Sequence, residues 1–174
     1  VKGASAWDAG WQWSGPGAYA RKHSDLDGYV LMLGRLRARE ALPALVEKAA
    51  LLTERSEFSH FRAVAMALEQ IGDPAGAPAL ARLLELPGVR GNHLEPVHEA
   101  GIVPYGSHSP GAGDVERRAA LRELAVARAL YRLGDVGGAG EAVLRAYGAD
   151  PRSAYARHAL LALGMGVPVP GTGR

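Results

Sequence analysis

The chain has 174 residues, 48% hydrophobic, 22% charged and 6% aromatic, with a net charge of +2, 23 Gly, 11 Pro and no Cys. That size and apolar share suit one ordinary domain and exclude a disordered chain, while no apolar run approaches the roughly 18 residues of a membrane span. The absence of Cys excludes a disulfide scaffold, a thiolate zinc site, an iron–sulfur cluster and a cysteine nucleophile.

Residues 1–23 hold three Trp, four Gly and one Pro with little helical periodicity, and are expected to form an irregular arm. The opening at Val1 without Met leads us to expect a piece of a longer protein. Ser24 opens a first helix with Asp27 as an acidic capping partner, and Tyr29, Val30, Met32, Leu33 and Leu36 follow at helical spacing. Residues 40–52 and 59–71 form the next two helices, and Asp73-Pro74 caps a fourth. Residues 87–113 contain six Gly, four Pro and three His and read as a long loop insertion. Helices resume at 115–133, 138–148 and 151–163, the last entered through Asp150-Pro151. The tail 167–174 carries Pro and Gly, cannot continue a helix and is expected to be flexible.

These helices are related to one another. Leu33, Leu36, Pro43 and Leu45 recur 35 residues later as Leu68, Ile71, Pro78 and Leu80. A degenerate third copy appears around Leu130, Leu133, Gly134 and Asp135, offset by 62 from the second. A helix pair recurring at about 35 to 45 residues, with Asp-Pro turns, is a HEAT-like signature. The expectation is therefore an all-α fold, a HEAT-like α-solenoid of about three helix pairs spanning 24–166, each pair burying its apolar stripe against the next.

Few residues carry an independent chemical signal. Gly111-Ala-Gly113 and Gly137-Gly138-Ala-Gly140 follow no predicted strand and complete no phosphate-binding motif, so they read as turns. Ser59-His60 is merely sequential, with no nucleophile elbow. His93, Glu95, His98, Glu99 and His108 have metal-ligating chemistry, but their spacing fits no rigid pair, and they read as exposed loop residues. No catalytic, cofactor-binding or metal-binding residue is assigned. The arginine clusters 35, 37, 39 and 117, 118, 122 lie beside acidic residues and read as solvated helix faces, so nucleic acid is not the expected partner.

Two polar residues break the apolar pattern. At about 100° per residue, His60 falls among Phe61, Val64, Ala67 and Leu68. Glu123 falls among Ala119, Ala127 and Leu130, opposite the arginines of its helix. Both are expected to be buried polar anchors, paired with each other or with an Arg from a neighbouring helix. Trp7, Trp11 and Trp13 are costly to leave in water. They either lie back over the first helix pair or form a docking surface for a neighbouring domain.

Trp7-Asp-Ala-Gly-Trp11-Gln-Trp13-Ser-Gly15 is one block of a known pattern, and Ser56-Glu-Phe-Ser-His-Phe-Arg-Ala-Val-Ala-Met-Ala-Leu-Glu69 is another. Arg122-Glu-Leu-Ala-Val-Ala-Arg-Ala-Leu-Tyr-Arg-Leu-Gly-Asp135 and Tyr155-Ala-Arg-His158 complete it. In order along most of the chain, these blocks resemble the C-terminal helical region of bacterial FAD-dependent oxidoreductases, some described as xanthan lyase-like. In that family an N-terminal dinucleotide-binding domain holds the FAD, and no such motif is present in this sequence. The resemblance thus implies a non-catalytic accessory domain, itself without cofactor, that packs against a flavin domain. A free-standing HEAT-like module that binds another protein is the alternative. A helical-repeat enzyme acting on nucleic acid, as some HEAT-like base-excision glycosylases do, is more remote.

Overall fold

The computed structural model describes Trp7, residues 12–14, 20–22, 24–95 and 112–165. Among these, the fold is all-helical apart from one short ribbon. The helices are α1 (Asp25–Arg35), α2 (Leu42–Ala50), α3 (Phe58–Ile71), α4 (Ala77–Leu84), α5 (Ala112–Arg132), α6 (Ala139–Gly148) and α7 (Ser153–Ala162). The ribbon corrects the expectation of an irregular arm. Strand β1 (Gln12–Ser14) pairs antiparallel with β2 (Ala20–Lys22), with Trp13 opposite Arg21. The tail 167–174 and most of the expected 87–113 loop lie outside the described residues, and α5 begins at Ala112, inside the expected loop.

Local chemistry sets the helix boundaries. Ser24 caps α1, its hydroxyl accepting from the Asp27 amide at 3.0 Å. The Asp27 carboxylate also meets His60 of α3. Asp73-Pro74 caps a 3-10 turn, Pro74–Gly76, before α4 begins at Ala77. Similar 3-10 turns, Arg39–Ala41 and Val136–Gly138, precede α2 and α6. Proline lies in the first turn of both α2 and α4, where its missing N–H has no helical partner to lose.

The helices pack in two rows. One runs α1, α3, α5, each against the next; α2 and α4 flank it, and α6 packs on α5 and then on α7. The core between them holds Val30, Leu45, Leu52, Phe61, Leu68, Leu80, Leu83, Leu124, Leu130, Leu144 and Tyr147. Small residues set the closest approach. A side chain on Gly34 would start 2.6 Å from the Ala67 Cα, so only glycine lets α1 sit this close to α3.

Charged groups tie neighbouring helices together. Glu69 on α3 bridges Arg128 (2.9 Å) and Arg132 of α5. The Arg82 guanidinium of α4 donates to the carbonyls of Ala49, Ala50 and Leu52, satisfying the C-terminal end of α2. Among the described residues no helix is long and apolar enough to cross a membrane.

Candidate functional site: a groove on the α3–α5–α7 face

The two anchors singled out in the sequence are both buried, with 4% of His60 and 1% of Glu123 exposed. They are not paired with each other, and among the described residues neither forms its hydrogen bonds with an arginine. His60 Nδ1 lies 2.8 Å from Asp27 Oδ1, joining α3 to α1. Trp7 stacks on the His60 ring with centroids 4.6 Å apart, and its indole N–H donates to the Lys48 carbonyl at 3.2 Å. Trp7 therefore packs against the chain's own helices. Trp11 and the side chain of Trp13 lie outside the described residues.

Glu123 holds the segment that follows α4. Its Oε1 accepts from the Gly91 amide at 2.9 Å, and its Oε2 from the Asn92 amide at 2.8 Å and the Tyr147 hydroxyl at 3.0 Å. The Asn92 side chain adds a bond at 3.2 Å. Burial pushes the Tyr147 phenol well above its usual range, and the neighbouring Glu123 charge and hydrogen bond push it further, so it stays a donor.

A second carboxylate completes this clamp. Asp150, just before α7, accepts from the Leu94 amide at 2.9 Å and from the Arg152 amide and side chain. Arg152 also donates to the Asn92 carbonyl at 2.8 Å and lies over the Tyr155 ring. Burial alone would raise the Asp150 carboxyl, but the hydrogen bonds from Arg152 and Leu94 outweigh it and hold it below the usual range. Residues 91–94 thus form a strap fixed by two carboxylates. Sequence reasoning gave Asp150 the role of a helix cap; α7 in fact starts at Ser153.

His93 belongs to this strap. It is half-buried and edge-on to Tyr147, not the exposed residue expected. Glu95 is exposed, and His98, Glu99 and His108 lie outside the described residues. Among the described residues no group of three or more His, Asp or Glu could hold a metal ion.

The strap borders a groove of about 990 Å³ whose floor is α5 and whose walls are α3 and α7. Phe58, Arg62 and Met66 line it at successive turns of α3, with Arg117 and Leu121 from α5 and Tyr155 from α7. Arg62 and Arg117 are exposed and have no ion pair or hydrogen bond among the described residues. Arg128 and Arg152, also in the lining, are neutralised by Glu69 and Asp150. His158 of α7 is also in the lining. Burial depresses its imidazole, and the Arg128 and Arg132 charges add to this against Glu69, so it is neutral at neutral pH. The lining therefore offers two uncompensated guanidinium groups beside a partly exposed apolar bed.

The sequence reading did not find this groove. Its one trace there is the i, i+4, i+8 spacing of Phe58, Arg62 and Met66, which lies off the buried arc of α3. Compared with known proteins, the chain matches no family model, no curated protein and no solved structure.

Proposed function

We propose that the chain is a non-catalytic helical-repeat accessory domain, a short HEAT-like solenoid that holds a flavin domain of a larger FAD-dependent oxidoreductase through its groove. The observation that carries this reading is the groove itself, with Arg62 and Arg117 uncompensated beside Phe58, Met66 and Leu121. Such a surface suits a protein segment with carboxylates beside apolar anchors. The solenoid reading is supported by the in-order packing of α1, α3 and α5 and by the 3-10 turn ahead of each of α2, α4 and α6. The flavin partner rests on the resemblance alone, three of whose blocks supply Met66, Arg128 and Tyr155 to the groove lining.

A free-standing interaction module would use the same groove for a separate protein. A nucleic-acid channel fits less well. Two of its four arginines are neutralised and Glu116 lies beside Arg117, which leaves less positive charge than a phosphate backbone calls for.

A photo-crosslinking residue at Met66 of the full chain, activated in the cell that makes it, tests the reading. The expected adduct is with a flavin-bearing polypeptide and is lost in the R62E/R117E variant. An arginine-dependent adduct with a flavin-free protein would favour the free-standing module. Adducts with nucleic acid, or none that depend on the two arginines, would refute both.

A further inference from the structure

The helix row α5, α3, α1 ends on a face of α1 that is apolar and exposed. Tyr29, Met32 and Leu36 are 59%, 55% and 70% exposed. By the 35-residue repeat they correspond to Val64, Ala67 and Ile71 of α3, and by the further offset of 62 to Val126, Ala129 and Leu133 of α5. All six counterparts are buried. Ala67 is the residue over which Gly34 lets α1 approach, so the equivalent face of α1 is where the next helix of the row would sit. No helix among the described residues covers it.

The residues on this face differ in kind from their counterparts. Where α3 carries Val64 and Ala67, α1 carries Tyr29 and Met32, too bulky for the close approach seen between α1 and α3. Gly28, beside them, leaves open space, with no atom within 4 Å of where its side chain would start. Bulky side chains next to a gap suit a partner with the same alternation. Charge marks the two ends of the face. Asp25 is exposed at the N-terminal end and Arg35 at the C-terminal end, and neither has a partner among the described residues.

We propose that a second copy of this chain docks here, the two α1 helices packing antiparallel about a two-fold axis between Tyr29 and Met32. That axis sets Tyr29 of each copy against Met32 of the other. It also brings each Asp25 near the Arg35 of the other copy, since the two lie about 8 Å and about 7 Å from the midpoint along a helix rising about 1.5 Å per residue, within the reach of an arginine side chain. A self-complementary patch of this kind is what a two-fold dimer requires. Three apolar side chains per copy are fewer than the roughly 20–30 residues a side of a standard interface, so the dimer is weak and concentration-dependent.

Sedimentation velocity on the full chain, over a series reaching about 1 mM, reads the association directly. The expected result is a monomer–dimer equilibrium that M32E abolishes. L36E, at the end of the same face, should weaken it too, and unchanged melting curves for both variants would exclude unfolding as the cause. Each charge reversal, D25R or R35D, places like charges together twice in the dimer and should weaken it about tenfold. The double variant D25R/R35D should return it to near the wild-type value, and R62E/R117E should leave it unchanged, which separates this surface from the groove. A monomer throughout the series, a dimer indifferent to M32E, or a double reversal no better than the single ones would overturn the proposal.

Discussion

Glu123 and Tyr147 meet at 3.0 Å inside the contact between α5 and α6, and the same carboxylate reaches out to the amides of Gly91 and Asn92. One buried acid thus serves both the core and the strap. Replacing it with Ala leaves two backbone N–H groups without an acceptor and the buried phenol with only the Ala120 carbonyl at 3.5 Å, at about 1–3 kcal/mol for each buried group stranded. We expect E123A to lose about 3 kcal/mol or more in urea unfolding, and Y147F, which removes only one donor, about 1 kcal/mol. The Gly91 and Asn92 amides should exchange with solvent much faster in E123A. An E123A variant within experimental error of wild type would show that the strap is held by something else.

Two glycines of α1 should respond with opposite signs. Gly34 touches the α3 backbone, so G34A forces the helices apart and should cost about 1–3 kcal/mol despite the better helix former. Gly28 is exposed with open space around it, and G28A should add about 0.5–1 kcal/mol by restricting the unfolded chain and favouring the helix. Thermal melts of both variants, at a dilution where the chain is monomeric, check the pair. Equal signs would refute the close approach of α1 to α3.

The helices were legible in the sequence because their signals are local. The capping hydroxyl of Ser24 and the prolines of α2 and α4 act within a turn, and apolar spacing marks the faces of α3 and α5. Glu123 and His60 were legible as misfits, since a polar residue on an apolar arc must be satisfied somewhere. Their partners were not. Asp27 lies 33 residues from His60, and Asn92 lies 31 from Glu123, in a stretch with no periodicity to place it. Asp150 was misread for a related reason. Asp-Pro signals a helix start, but besides the Arg152 amide the carboxylate also takes the amide of the strap residue Leu94, 56 positions earlier. The groove needed three helices brought together, and no single window of sequence contains it.

Acid should weaken the fold in two separate windows. The folded His158 imidazole is held below its ordinary value, so the unfolded chain binds the extra proton first. Its contribution is intact above about pH 6.5 and lost as pH falls from there toward the folded value. Asp150 is also depressed, and its contribution persists until pH drops below about 3.9, then fades through its folded value. Stability measured by urea unfolding at a series of pH values should therefore fall less between pH 6.5 and 5 in H158Q than in wild type. D150N should be weaker already at neutral pH and lose less than wild type below about pH 4. Parallel pH curves for wild type and H158Q would contradict the assignment.

Trp7 has two readings that stability can separate. If its work is done at a partner's surface, W7A leaves the isolated chain as stable as before. The stacking on His60 and the bond to the Lys48 carbonyl predict otherwise. Removing a fully buried Trp costs about 3–5 kcal/mol, and for this half-buried ring about 2 kcal/mol is expected. H60A should be costlier still, because it takes away both the ring beneath Trp7 and the hydrogen-bond partner that Asp27 Oδ1 has on α3, while Oδ2 is already buried without one. In a W11F/W13F background the Trp7 emission should be blue-shifted and poorly quenched by iodide, and H60A should move both toward the values of an exposed indole. Emission indifferent to H60A, together with an unchanged melting temperature for W7A, would mean that Trp7 does not cap the first helix pair.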